Sequence, residues 1–322
     1  MRSIRPAVLW AAMFAAPVLR ADVTVRYKHD VKAALPQATA AIPSALTPQF
    51  TVIRVKGDKA YSDLGAFASI LDAGTGQITL MDSTHKSFAK APFQEFLNQV
   101  QAVMPKPSSL PEETQKAMAS MKTSVSSKRT GRTDVIQGMR AEETEITFSV
   151  DMAVPGGSAQ AGPLPLLKMV MQFWTARPEE TTRNAALRQL AQFRDYTAYF
   201  ASPAETLQKI LVSLPWSSGD LIADLQELSK NSPVMLKFHM AAFAPMMAQL
   251  AQQAGKQQNP VPGGFDPNAP LMEMSIEIAE ISTAAIEDSV FEIPHGFQAV
   301  ALDDLMKAVA AAASPAKAPA PR

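Results

Sequence analysis

Two runs of strict alternation between apolar and polar residues stand out along the chain, at residues 145–152 and 272–278. The apolar residues that share a face are Ile146, Phe148, Val150 and Met152 in the first run, and Met272, Met274, Ile276 and Ile278 in the second. Such alternation is typical of antiparallel sheets with one wet face, since parallel strands covered on both faces are apolar throughout. The pattern therefore predicts a large antiparallel sheet with one dry face.

Further strands are predicted in the first half of the chain. Residues 54–90 read as short strands joined by tight turns, because Gly57, Gly74 and Gly76 supply the dihedral freedom that turns need. Weaker alternation predicts strands at residues 23–28, 50–55, 166–175 and 234–240.

Several segments show helical spacing, and these helices must cover the dry face. A capping box with Pro at the first helical position, Ser202–Glu205, predicts a helix through Leu214. Further helices are predicted over residues 93–104, from Ser109 toward Met121, and over 179–200 and 221–228. The helices cluster between strands instead of alternating with them. The predicted fold class is therefore α+β, with a curved antiparallel sheet, a half-barrel, wrapped around several helices.

The ends and linkers predict the domain organisation. Residues 1–21 have a basic start, an apolar run and a small residue before Asp22, which is typical of a secretory signal peptide. Residues 22–305 form one predicted half-barrel-like domain, with mobile Gly- and Pro-rich loops near 155–165 and 255–270. Residues 306–322 are predicted to be a helix end followed by a disordered Ala/Pro-rich tail.

The composition limits the cellular compartments and the binding partners that we expect for the protein. The chain has no Cys, so it has no disulfide and no thiol for lipid attachment at the mature start. We expect a soluble periplasmic or extracellular protein, with no transmembrane segment after signal removal. Lys plus Arg and Asp plus Glu are 30 each, which leaves no cationic surplus for nucleic acid.

The residues that usually carry chemistry are scattered. His29, His85, His239 and His295 lack metal-ligand spacing, so we expect neither a metal site nor a cofactor. His295 is expected to be a turn residue. No Gly-x-Ser-x-Gly elbow occurs, and the carboxylates of residues 142–145 and 303–304 are expected to be solvated. No catalytic residue is predicted, and the protein is expected not to be an enzyme.

Methionine is unusually frequent, with 17 residues in the chain. Met169 with Met171, and Met272 with Met274, place pairs of thioethers on one face of a strand. Three interpretations are open: packing of an irregular core, an adaptable hydrophobic cavity, or a cuprous ion site. Residues 238–253 similarly fit an ordinary packed helix, a mobile lid over the sheet, or a helix that touches a membrane.

The order of several short segments resembles a known architecture. The matching pieces are Val55–Lys59, Asp72 with Thr75–Asp82, Lys86–Phe88, Ile136–Glu143, Phe173–Thr175 and Ser289–Phe297. Together they are similar to an uncharacterised family of exported bacterial proteins that is related to the lipoprotein-carrier (Lol-like) half-barrel superfamily. The resemblance implies a concave, apolar-lined cavity that holds an acyl chain.

The leading hypothesis is a non-enzymatic periplasmic protein that binds or carries an acyl chain or a similar hydrophobic ligand. The residues predicted to line its cavity are Ile146, Phe148, Val150, Met152, Met169, Met171, Phe173, Met272, Met274, Ile276 and Ile278. The alternative is an envelope protein-interaction module with a self-filled core, which recruits a protein partner through loops 155–165 and 255–270. A third hypothesis is a hydrolase whose catalytic residues are scattered along the chain.

Overall fold

The computed structural model of the chain describes residues 22–33, 49–103, 121–152, 164–193, 234–245 and 269–313. Within these ranges twelve strands form one sheet. The strands are β1 (Val23–Ala33), β2 (Phe50–Lys56), β3 (Lys59–Asp63), β4 (Phe67–Asp72), β5 (Gln77–Asp82), β6 (Ser87–Pro92), β7 (Met121–Ile136), β8 (Met139–Met152), β9 (Leu164–Ala176), β10 (Met235–Phe243), β11 (Met272–Ser282) and β12 (Gln298–Ala299).

The strand order across the sheet is β12-β6-β5-β4-β3-β2-β1-β11-β10-β9-β8-β7. All neighbouring strands pair antiparallel except β12, which runs parallel to β6. β1 lies between two halves of the sheet. In one half, β2 is next to β1 and the strands follow in chain order out to β6. In the other half, β11 is next to β1 and β7 forms the outer edge. The predicted α+β class with a large, open, curved antiparallel sheet is confirmed.

Four helices and one 3-10 turn lie within the described ranges. They are α1 (Phe93–Val103), α2 (Pro178–Arg183), α3 (Ala185–Gln192), α4 (Leu302–Ala313) and the 3-10 turn Asp288–Phe291. α1 confirms the helix predicted from Phe93, and α4 begins with the solvated pair Asp303 and Asp304 that the sequence predicts. The single helix predicted from residue 179 is wrong, because Asn184 interrupts it and caps α3 by accepting the backbone N–H of Ala186 at 2.9 Å.

The sheet has two different faces. On the helix face, as we name it, alternate residues such as Val25, Ile53 and Ile78 pack in one core with Phe96 of α1 and Leu305 of α4. On the back face, a smaller core forms where the segment of residues 286–297 lies against β3–β6. Its buried members are Ala68, Ile70, Met81, Ile286 and Phe291.

A cluster of polar contacts holds the start of this back-face segment. The Lys56 ammonium contacts the Asp288 carboxylate at 2.8 Å and donates to the Ile286 carbonyl at 2.6 Å. The Ile286 backbone N–H donates to the Asp22 carboxylate at 2.8 Å. The N-terminal end of β1 and the C-terminal segment are therefore joined beside β2, and His295 lies in a turn of that segment, as predicted.

β7 departs from the sequence-based predictions, whereas β10 confirms the strand predicted at 234–240 and extends it to Phe243. β7 was not predicted, because its residues are mostly polar and exposed and their alternation carries little apolar signal. The helix predicted to run toward Met121 does not include that residue, which begins β7.

Residues 238–243 belong to β10, so the packed-helix, lid and membrane-helix interpretations are wrong for them. Pairing on both sides of β10 outweighs the helical spacing of its Phe and Ala residues.

Several predictions fall outside the described residues. They are the signal peptide at 1–21, the helices after Ser109, Ser202 and Leu221, the helical segment at 246–253, most of the loops at 155–165 and 255–270, and the tail after Ala313. Among the described residues, no helix combines the length and apolar character needed to cross a membrane.

Substitution of Phe238 tests the packing of the core on the helix face. Its side chain is fully buried on the helix face, and its ring lies 5.0 Å from the ring of Phe173. We expect Phe238→Ala to lower the free energy of unfolding by about 3–5 kcal/mol, because the change leaves a cavity between packed strands. Urea unfolding followed by circular dichroism measures this difference.

Val135→Ala is the matched control, since Val135 is 64% exposed on β7. Its effect should stay within about 0.5 kcal/mol. Equal effects of the two substitutions would show that Phe238 does not pack in the core of the helix face.

Candidate functional site

The register of four strands aligns the predicted cavity residues in rows across the helix face. One row runs through Ile146, Met171, Met240 and Met274 on β8, β9, β10 and β11. A second row contains Phe173, Phe238 and Ile276, and a third contains Phe148, Met169, Ala242 and Met272. Directly opposed residues on one face have Cβ atoms about 4.5–5.5 Å apart, so each row is a line of contacting side chains.

Burial divides the predicted residues into two groups. Ile146, Phe148, Val150, Met171, Phe173, Ile276 and Ile278 are buried. Met152, Met169, Met272 and Met274 are half-buried. The structure thus brings the predicted residues together on one face, and the less buried group consists entirely of methionines.

The half-buried group, which we name the methionine rim (Met152, Met169, Met272 and Met274), lies toward one end of the sheet. That end holds the C-termini of β8 and β10 and the N-termini of β9 and β11. The chain leaves β8 and β10, and enters β9 and β11, at this same end. Solvent reaches the apolar face most readily here, because the rows farther from the rim are buried.

A line of polar side chains crosses the other part of the helix face. We name it the polar line; it consists of Tyr27, His29, Thr51, Ser62 and Ser69 on β1 to β4. His29 lies opposite Ile276, Tyr27 lies opposite Thr51, and Ser62 lies opposite Ser69. The polar line therefore begins in the row of Phe173 and Phe238 and continues away from the methionine rim.

Three atoms of the polar line are buried and unpaired. The Nε2 atom of His29, the Oγ1 atom of Thr51 and the Oγ atom of Ser62 have no hydrogen-bond partner among the residues that the structure describes. Thr51 and Ser62 are 1% and 0% exposed. A buried polar group without a partner costs about 1–3 kcal/mol, so three of them on one face call for an explanation.

Burial also shifts the pKa values of the two titratable groups of the polar line, Tyr27 and His29. Desolvation lowers the pKa of His29, since the charged imidazolium is disfavoured away from water. Desolvation raises the pKa of the Tyr27 hydroxyl for the same reason. Both side chains are therefore uncharged at neutral pH, and the polar line presents neutral hydrogen-bonding groups.

Sequence reasoning missed the polar line. The signal that reveals it is the presence of Thr51 in phase with Ile53 and Val55, and of Ser62 in phase with Ala60. These hydroxyl residues occupy positions that the strand alternation assigns to the dry face. Short strands with a single hydroxyl at a dry position give a weak signal until the register of neighbouring strands is known.

A carboxylate–imidazole pair forms at the β5–β6 turn. The Nδ1 atom of His85 lies 2.6 Å from Oδ2 of Asp82, and the backbone N–H of Thr84 donates to Oδ1 at 2.8 Å. The Asp82 side chain is 1% exposed, whereas His85 is 70% exposed. No nucleophile contacts His85 among the hydrogen bonds of the described residues, and the pair is best explained as a clamp on the turn.

The acidic cluster of β8 is not uniformly solvated. The expectation of a wet carboxylate is wrong for Glu143, whose side chain is fully buried and pairs with the Arg132 guanidinium and the Thr130 hydroxyl. A β7 bulge, which contains Gly131 at φ +77°, opposes this residue and brings Arg132 over it. Neighbouring Glu145 hydrogen-bonds with Lys128, which lowers the pKa of Glu145. These pairs neutralise the carboxylates.

A groove of about 400 Å³ lies on the back face beside residues 291–293. Its charged lining residues are Lys59, Asp72, Lys90 and Glu292. Equal numbers of cations and anions favour no ligand charge. Within the described ranges, no group of His, Asp and Glu side chains is arranged to hold a metal ion.

Comparison with known protein families gives no match, and comparison with curated proteins gives none either. The resemblance to half-barrel carriers therefore stays a hypothesis.

The Asp82 clamp predicts a pH-dependent contribution to stability. Burial raises the pKa of Asp82, but hydrogen bonds from the His85 ring and from the backbone N–H groups of His85 and Thr84 outweigh it and lower the pKa below its ordinary value of 3.8. We expect Asp82→Asn to lower the free energy of unfolding by about 1–3 kcal/mol at pH 7. Because the folded-state pKa is depressed, this contribution is complete above pH 3.8 and is lost as the pH falls below it.

Chemical denaturation of both proteins from pH 7 to pH 2.5 measures the difference. Asp63→Asn is the control, since the Asp63 carboxylate accepts a single backbone N–H, from Gly65, in an exposed turn. A difference between wild type and Asp82→Asn that persists unchanged at the lowest pH would contradict the clamp.

Proposed function

We propose that this protein is a non-enzymatic, exported binding protein that holds the apolar chain of a lipid-like ligand on the helix face between β8 and β11. The observation that carries the proposal is the methionine rim. A core that only stabilises the fold has no need to end in four half-buried thioethers.

The side-chain chemistry of the rim supports an acyl chain as ligand. Methionine is unbranched and polarizable, so it adapts to flexible apolar partners and is common on surfaces that bind them. Next to the rim, the buried side chains of Met171 and Met240 extend the methionine surface into the core. A chain that enters at the rim therefore meets mainly apolar side chains along the rows, and reaches Thr144 and His29 only in the row of Phe173 and Phe238.

Binding of an apolar chain is favoured over binding of a cuprous ion as the role of the methionine rim. Soft thioether sites for copper are commonly completed by imidazole. His239 lies opposite Ser275 on the back face, whereas His29, opposite Ile276, lies on the same face as the rim. The rim residues are nevertheless spread over β8, β9 and β11 in a sheet whose neighbouring strands are about 4.8 Å apart, so one ion cannot bind all four thioethers. Apolar ligand binding is thus the interpretation that uses all four methionines together.

The test is direct measurement of bound lipid and of its dependence on the rim. Native mass spectrometry of protein purified from its own cells should show a bound lipid-like mass, and a fluorescent fatty acid should bind the delipidated protein. We expect Met272→Gln with Met274→Gln to weaken that binding about tenfold or more, because each substitution replaces an apolar contact with an amide that must be desolvated.

Glu273→Gln is the control, because Glu273 lies between the two methionines on the same strand and faces the opposite side. Its affinity for the fluorescent fatty acid should equal that of wild type. A wild-type protein that carries no ligand and binds no fluorescent fatty acid would overturn the proposal and would favour an envelope interaction module with a self-filled core.

A further inference from the structure

The helix face is apolar on one side of β1 and carries buried polar groups on the other. From β8 to β11 its rows consist largely of Ile, Phe and Met side chains, and from β1 to β4 it contains the polar line. His29 lies at the boundary, opposite Ile276. This arrangement matches a molecule that has an apolar chain at one end and hydrogen-bonding atoms at the other.

We propose that the polar line binds the uncharged oxygen atoms of an acyl ester or alcohol head group, while the acyl chain lies along the methionine rows. This inference rests on the proposed function and specifies the class of ligand. Ester carbonyls accept hydrogen bonds and hydroxyls both donate and accept, which are the complements of the Thr51 and Ser62 hydroxyls and of a neutral imidazole.

The unpaired atoms are the main argument. In the part of the chain that the structure describes, His29 Nε2, Thr51 Oγ1 and Ser62 Oγ are shielded from water and have no partner. A buried hydroxyl replaced by a methyl group avoids this penalty, so the fold alone gains nothing from Thr51 or Ser62. A ligand oxygen that takes up these groups accounts for their presence.

The charge distribution argues for an uncharged head group. Within β1 to β4, the Lys and Arg residues alternate onto the back face, and the dry positions carry none of them. A carboxylate placed on the polar line would lose its hydration without gaining a cation, which is strongly unfavourable. A free fatty acid anion is therefore a poorer ligand than a neutral ester with the same chain.

The experiment compares three probes with the purified full chain: a monoacylglycerol, the free fatty acid of equal chain length, and a fluorescent alkyl chain without oxygen. We expect the wild type to bind the monoacylglycerol at least tenfold more tightly than the fatty acid at pH 7.4. Thr51→Val with Ser62→Ala should weaken monoacylglycerol binding about tenfold or more. Binding of the alkyl chain should change by less than about twofold, because its contacts lie on the methionine rows.

The stability of the ligand-free variant separates a binding role from a structural one. If the hydroxyls serve the ligand, the melting temperature of the apo double variant equals or exceeds that of wild type. Thr51→Ser retains the hydroxyl and should retain monoacylglycerol affinity. Thr79→Val is the matched control, since Thr79 is a buried threonine of β5 that faces the back.

Three results would overturn the inference while leaving the proposed function intact. The first is unchanged monoacylglycerol affinity in the double variant. The second is a lower melting temperature with equal loss of ester and alkyl binding, which would identify the polar line as a site for ordered water. The third is equal affinity of the wild type for the ester and the fatty acid. Failure of the wild type to bind any of the three probes would instead overturn the proposed function itself.

Discussion

The double pairing of β1 is the constraint on which the rest of the structure depends. This strand pairs with β2 on one side and with β11 on the other, so its register decides whether the two half-sheets share a face. A shift of one residue would turn a whole half-sheet inside out. An extra residue in β11, Ala279, prevents this: Val25 lies opposite Ile281 while Tyr27 lies opposite Ile278, and both isoleucines face the same core. One continuous helix face is the consequence.

That continuity gives the helix face its two-part character. If the halves were separate sheets, the apolar rows of β8–β11 and the hydroxyls of β2–β4 would belong to different cores. Because β1 joins them, His29 and Tyr27 become neighbours of Ile276 and Ile278 on one side and of Thr51 on the other. An apolar chain and its polar end can then occupy one surface, with the boundary at a single strand.

Sequence periodicity predicted the strands that carry strong apolar signals, and it failed where burial does not follow the alternation. The run at Ile146–Met152 was correct because its dry residues are large and its wet residues are polar. β7 was missed because it is an exposed edge strand with few apolar residues. Glu143 was misread because its burial comes from the bulge on β7, a feature of the neighbouring strand that has no local signal in β8. The polar line needed the register of four strands before it could be seen.

The two buried polar clusters of the sheet illustrate opposite uses of polarity. Glu143 is fully enclosed, yet Arg132 and Thr130 satisfy its oxygens, so the cluster is complete within the chain and has nothing left to offer a ligand. The polar line is the reverse case, because His29 Nε2, Thr51 Oγ1 and Ser62 Oγ are enclosed and have no partner among the described residues. On β8, a bulge and a guanidinium provide partners for a buried carboxylate. A buried hydroxyl needs only one neutral partner, which the fold could provide more easily. The persistence of unpaired groups on the face that also carries the methionine rim therefore favours a partner supplied from outside the chain.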